Sequence, residues 1–140
     1  MGGRPGLLVV VPDPVLEGRL AALAGDGYRV ARVDSTAGAL RHLDQGGIDV
    51  VVLDVGIEGF AGIKLAARLR EERPGLRLLL LGSTRSTEEA TATLLRRVAD
   101  HYMDRPLDED EVARLLRGWA ARGAGGEARP ATRQGPGTDQ

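Results

Sequence analysis

The stretch that decides the fold is residues 49–65, DVVVLDVGIEGFAGIKL. Four consecutive apolar residues, Val50 to Leu53, lie between Asp49 and Asp54, and Gly56, Gly59 and Gly62 follow. So short an apolar run, without alternation, marks a strand covered on both faces. A strand interior holds an acid only at a cost. The carboxyl end of a parallel strand does not, because open α/β sheets place their ligand crevice there. Asp54 stands at that end, and a glycine-rich loop opens from it onto a helical pattern. This is how a site is built on a parallel sheet.

The same run recurs on either side. Leu7 to Val11 and Leu78 to Leu81 are continuous and apolar, and His101 to Asp104 is a shorter fifth candidate. Tyr28 to Val33 is weaker, and its Arg29 and Arg32 suit a sheet edge, where charge blocks unwanted pairing. Five helical patterns lie between and after the strands. The first opens on Asp13-Pro14, an N-cap with proline at the first helical position, and carries Leu16, Leu20, Leu23 and Ala24 on one face. The second begins near Ser35, uses Ala39, Leu40 and Leu43, and stops at Gly46-Gly47. The third runs from about Phe60 to Arg73 and is closed by Pro74-Gly75. Ser86 with Glu89 and Asp108 with Glu111 form capping boxes for the fourth and fifth. The fifth turns Val112, Leu115, Leu116 and Trp119 to one side.

Five βα units in succession predict a flavodoxin-like α/β fold, a doubly wound parallel sheet. Right-handed crossovers and the edge-like second strand favour the strand order 2-1-3-4-5. The expected domain covers residues 6–121. Residues 122–140 are almost without apolar side chains and read as a disordered tail.

Composition narrows the function. With 19 basic and 20 acidic residues the net charge is -1, which argues against a nucleic-acid or anionic-membrane footprint. Cysteine is absent, which excludes disulfides and thiolate chemistry, and His42 and His101 are too few for a metal cluster and read as surface residues. No apolar run approaches the ~20 residues of a membrane span, and the N-terminus lacks a signal-peptide core, so the expected location is cytoplasmic. The basic residues are 18 arginines and one lysine, Lys64, a bias read first as that of the source genome.

In the expected strand order the crevice is lined by Val11-Pro12-Asp13, Asp54 with Gly56, Gly82-Ser83-Thr84 and Asp104-Arg105-Pro106. Here the chain resembles the receiver domain of bacterial response regulators, the two-component signalling modules, through LLVVVPDP, VVVLDVGIEGFAG, LLLLGST and DHYMDRPLDEDEV. The resemblance implies that Asp54 matches the phosphoacceptor aspartate. It also implies an interaction surface on the fourth helix, fifth strand and fifth helix, where Tyr102 matches an aromatic that changes orientation on activation.

Other positions depart from the family pattern. Val11 and Pro12 stand where two acids usually bind Mg²⁺, leaving only Asp13. Gly82 replaces the usual serine or threonine, with Ser83 one place on. Arg105 replaces lysine before Pro106, and Glu58 replaces the proline four residues after the phosphoacceptor. Phosphoryl transfer to a carboxylate needs a divalent metal and fixed cations to neutralise developing charge. Mg²⁺ usually takes one or two carboxylates, so Asp13, Asp54 and the Gly56 carbonyl make at best a weak site, and no cofactor is expected.

Each residue keeps two readings at this level. Asp13 is an N-cap or a surviving metal ligand. Asp54 is a phosphoacceptor or a structural carboxylate left in a former site. Arg105 is a bidentate partner for Asp54 or a product of the arginine bias. Ser83 and Thr84 replace the missing hydroxyl or lead to the cap at Ser86. Tyr102 switches or simply packs, and Trp119 is core.

Three functions follow. The favoured one is an atypical, pseudo-receiver-like interaction module that signals without aspartyl phosphate and is not an enzyme. The alternative is a working receiver, phosphorylated on Asp54 by a histidine kinase or phosphotransfer partner, with Mg²⁺. A weaker one is a small nucleotide- or flavin-binding enzyme, disfavoured because Pro12-Asp13-Pro14 removes backbone donors and adds negative charge where a phosphate cradle would lie. Expected partners are a kinase, phosphotransfer or output protein, and a homodimer through the surface just named. Nothing after residue 121 reads as a DNA-binding domain, so the chain is either a stand-alone receiver or a fragment cut at a linker.

Overall fold

A computed structural model describes residues 3–82 and 89–122. Strands β1 (Gly6–Val10), β2 (Arg29–Val33), β3 (Val50–Asp54), β4 (Arg77–Leu81) and β5 (His101–Met103) alternate with helices α1 (Pro14–Ala24), α2 (Thr36–Gln45), α3 (Ile57–Glu72), α4 (Glu89–Val98) and α5 (Glu109–Ala121). All pairings are parallel, in the order β2-β1-β3-β4-β5, as the strand pattern predicts. Within the sheet β2 pairs only with β1, and Arg29 and Arg32 on it are exposed.

Alternation along the central strands divides the core in two. Leu7, Val9, Val50, Val52, Leu79 and Leu81 face one side, where Leu20 of α1 and Val112, Leu116 and Trp119 of α5 cover them. Leu8, Val10, Val51, Leu53, Leu78 and Leu80 face the other, under Ala39 and Leu43 of α2, Leu65 and Leu69 of α3 and Leu95 of α4. Every residue of β1 and β3 is buried, which explains why both read as unbroken apolar runs.

The helix starts follow local chemistry. Asp13 accepts from the Val15 N–H at 2.9 Å, Ser35 from Gly38 at 3.0 Å and Asp108 from Glu111 at 3.1 Å, each satisfying a donor that the first turn leaves open. The fourth helix is described from Glu89. Its expected cap at Ser86 lies outside the described residues, as do Ser83, Thr84 and all of the expected tail, 122–140, beyond Arg122.

Both histidines, expected at the surface, keep part of their side chains exposed. Both are half-buried, and His101 Nε2 lies 2.9 Å from Glu111 Oε2, joining β5 to α5. At the amino end of the sheet Asp100 gathers three donors: Arg70 Nη2 at 2.8 Å, Arg77 Nη1 at 3.5 Å and the Leu78 N–H at 2.7 Å. Arg70 also donates to the carbonyls of Val98, Pro74 and Leu76, tying α3 to α4 and β4.

Tyr28, buried beside β2, donates its hydroxyl to the Leu116 carbonyl of α5 at 2.6 Å. Burial, helped by the Asp49 carboxylate, pushes this hydroxyl from 10.0 to about 12. The folded protein therefore holds the proton more tightly than the unfolded chain, and the associated stability is complete below pH 10 and lost as pH rises through 12. Urea denaturation across that window should show a loss of about 2–3 kcal/mol that the Tyr28→Phe variant lacks. An equal loss in the variant would place the proton on another group.

Candidate functional site

The carboxyl ends of β1, β3, β4 and β5 meet at one crevice. At its centre Asp54, the last residue of β3, is only 7 % exposed. Asp54 Oδ1 accepts the Gly56 N–H at 2.9 Å, and Oδ2 accepts Arg105 Nη2 at 2.8 Å. Arg105 reaches Asp54 from the segment after β5, where the Arg105–Pro106 peptide is cis. Its Nε donates to the Gly82 carbonyl at 2.7 Å, so one guanidinium joins the ends of β3 and β4. Removing either member of such a pair strands a charge that the fold has already desolvated.

The other strand ends carry different chemistry. Val11 is buried in the apolar cluster beneath α1 and α5, and its N–H donates to the Val33 carbonyl at 3.3 Å. Pro12 is exposed. The Asp13 carboxylate is turned to its own helix as a cap. Among the described residues no three histidine, aspartate or glutamate side chains come together as a metal site would require. Gly82 closes β4 and brings no side chain to the crevice.

Two features of the β3–α3 loop explain its path. Glu58, Gly59 and Phe60 all have positive φ (51°, 67° and 74°), so the chain makes a left-handed turn before α3 settles into regular geometry. This is the physical reason that the helical pattern reads from about Phe60 although hydrogen bonding begins at Ile57. Glu58 then reaches across to α2, where its carboxylate accepts the Thr36 hydroxyl at 2.7 Å and the Thr36 N–H at 3.3 Å. Gly62 is a spacing requirement: a Cβ there would lie 2.8 Å from the Asp54 and Val55 carbonyl oxygens. Neither the Glu58–Thr36 contact nor its left-handed backbone has a local sequence signal. The nearest hint is Glu58 itself, an acid where the family pattern has proline.

Tyr102 is half-buried in β5 and packs against the cluster under α2, α3 and α4. The Arg96 guanidinium of α4 lies over its ring, 5.2 Å from the centroid, and reaches Asp104 at 3.7 Å. Trp119 is buried on α5, with Arg77 6.0 Å from its ring centroid.

Residues 8–117 match the model of the response regulator receiver domain, and the chain belongs to that family. The transcriptional regulatory protein TcrA of Mycobacterium tuberculosis (strain ATCC 25618 / H37Rv) is 35% identical over 118 residues, 84% of this chain and 46% of that protein. GlrR of Escherichia coli (strain K12), also a transcriptional regulatory protein, is 30% identical over 111 residues, 79% of this chain and 25% of its own length. The chain thus spans half or less of these relatives. Among solved structures, a CheY-like receiver domain protein from Methanospirillum hungatei JF-1 superposes with a TM-score of 0.74 at 14% identity, over 85% of this chain and 95% of that one. A response regulator from Burkholderia pseudomallei, solved with a phosphorylated aspartic acid, calcium ion and citrate, superposes with a TM-score of 0.68 at 25% identity, over 84% of this chain and 69% of that one.

The ion pair yields a stability prediction. Arg105→Ala should leave Asp54 with the Gly56 N–H alone and lower stability by ~1–3 kcal/mol in urea denaturation. Arg105→Lys should recover part of this, since an ammonium offers one donor group where the guanidinium spans two acceptors. Equal stabilities for all three proteins would show that the pair contributes nothing.

Proposed function

We propose that this receiver transmits its signal by binding a protein partner, without passing through an aspartyl phosphate. The observation that carries the reading is the Arg105 guanidinium on Asp54 Oδ2 and the Gly82 carbonyl, opposite strand ends where Val11 and Pro12 supply no carboxylate. Phosphoryl transfer to Asp54 would need a divalent cation beside it. Mg²⁺ asks for oxygen ligands in octahedral geometry, and its usual protein donors are carboxylates. The donor set does not fit that ion. Val11 is buried among hydrocarbon, Asp13 caps α1, and one Asp54 oxygen is held by a cation and the other by the Gly56 N–H. Gly82 supplies no hydroxyl for a phosphoryl oxygen.

In this role the chain is an interaction module with no resident cofactor. The surface proposed to meet a kinase, phosphotransfer or output protein, or a second copy of the chain, comprises α4, β5 and α5. The transcriptional regulators it resembles are longer, so contact with DNA would belong to an output domain of a longer protein. Among the described residues no helix is long and apolar enough to cross a membrane, and we place the domain in the cytoplasm, where kinase and output partners would meet it. The enzyme reading has less support: Pro12 and Pro14 leave the first βα loop short of N–H donors for a phosphate.

A second reading keeps Asp54 as a phosphoacceptor. It is favoured by the position of Asp54 at the crevice and by the phosphorylated aspartic acid of the Burkholderia pseudomallei relative. Incubation with acetyl phosphate and Mg²⁺, followed by phosphate-affinity electrophoresis, separates the two. The native chain and Asp54→Asn should migrate alike. A retarded band present only in the native chain would establish the second reading instead.

A further inference from the structure

We propose that the cavity between α1 and the start of α5 binds a small amine, its ammonium group on Asp13 and its apolar body against the leucines of α1, and that occupancy holds Arg105 on Asp54. The site gives the phosphate-free receiver an input of its own. That role rests on the reading above, whereas the binding does not.

The cavity has a volume of about 300 Å³. Liquid water would fill such a space with about ten molecules, which suits a small organic ligand. Leu16, Leu20 and Leu23 of α1 line one side, and Leu107 and Val112, before and on α5, line the other. Leu20 and Val112 belong to the core, but Leu16, Leu23 and Leu107 are only partly buried. Val15, also on the lining, is 69 % exposed, one of two large apolar side chains so exposed among the described residues. An apolar body seated here covers hydrocarbon that the fold leaves open to water.

Charge decides which amphiphile fits. The ionised side chains on the lining are Asp13, Arg19, Glu109 and Arg105. Arg19 is paired with Glu109, which joins α1 to α5, and Arg105 with Asp54. Asp13 has no ion pair among the described residues: its Oδ1 accepts the Val15 N–H at 2.9 Å, and Oδ2 is left for a ligand. The uncompensated charge on the lining is therefore one carboxylate. The backbone beside it adds little for an anion, since Pro12 and Pro14 flank Asp13 and carry no N–H. An ammonium group meets this carboxylate, and an anionic head is repelled by it.

Arg105 couples the cavity to the crevice. The side chain that lines the cavity is the one that donates Nη2 to Asp54 and Nε to the Gly82 carbonyl. A ligand seated beside it removes the room into which the guanidinium would withdraw from Asp54. The positive head on Asp13 adds repulsion from the same side.

Phenethylamine, titrated into the full chain carrying 13C-labelled leucine and valine methyls, tests the site. Saturable NMR shifts should appear at Leu16, Leu20, Leu23 and Val112. Asp13→Asn keeps an N-cap residue and removes the charge, so it should weaken the amine about threefold or more and leave neutral phenethyl alcohol unchanged. Hydrocinnamate, an anion of similar body, should bind more weakly than either. No saturable shift at tens of millimolar amine would overturn the proposal, as would equal amine affinity in the native and Asp13→Asn chains or equal binding of amine and hydrocinnamate. The Arg105 Nε–H signal, assigned with Arg105→Lys, should exchange with water more slowly at saturation, and an unchanged rate would refute the link to Asp54. The titrations contain neither Mg²⁺ nor a phosphodonor, so they fail separately from the electrophoresis of acetyl phosphate-treated protein.

Discussion

A carboxylate taken out of water must be given donors, and the crevice of this domain is arranged around that requirement. Asp54 sits at the end of a fully buried strand, whose other four residues offer it nothing polar except backbone. The fold meets the need with one N–H from its own loop and one guanidinium from across the sheet. Because the same guanidinium also bonds the end of β4, the pair does more than neutralise a charge. It ties together two strands that otherwise diverge into separate loops, from a residue that follows a third. Burial raises both the strength of this tie and the cost of breaking it.

That arrangement also decides what the site can accept. In the reading proposed above, a metal ion at Asp54 would compete with the Arg105 guanidinium already on Oδ2. The acids that would normally tilt this contest are replaced by a core valine and an exposed proline, while the remaining acid caps a helix. These are not independent losses. A valine at position 11 extends the hydrophobic surface of β1 into the layer under α1 and α5, so the first strand contributes stability where it would otherwise contribute ligands.

The fold was legible because it is written in local terms. Short apolar runs marked the strands, and Asp13, Ser35 and Asp108 marked helix starts through side chains that need only their own neighbours. Asp54 and Arg105 were legible as candidates from their places at strand ends. Their pairing was one of two readings of Arg105, but its geometry was not legible: one nitrogen reaches Asp54 and Nε turns to the Gly82 carbonyl, in place of a bidentate contact. The Glu111 partner of His101 was hidden for a related reason: it lies ten residues on, in a different element, and nothing local reveals it. Gly82 shows the limit most clearly. In sequence it is a missing hydroxyl, whereas in three dimensions a Cβ there would lie 2.9 Å from the Tyr102 hydroxyl.

The Glu58–Thr36 contact has a mechanical consequence. Gly56, which donates to Asp54, is two residues from Glu58, and Glu58 holds the first turn of α2 through both the hydroxyl and the N–H of Thr36. Three left-handed residues in succession leave the intervening chain little slack. The loop that carries the aspartate's N–H donor is thereby joined to the start of α2 through the Glu58 carboxylate, a link that does not pass through β5.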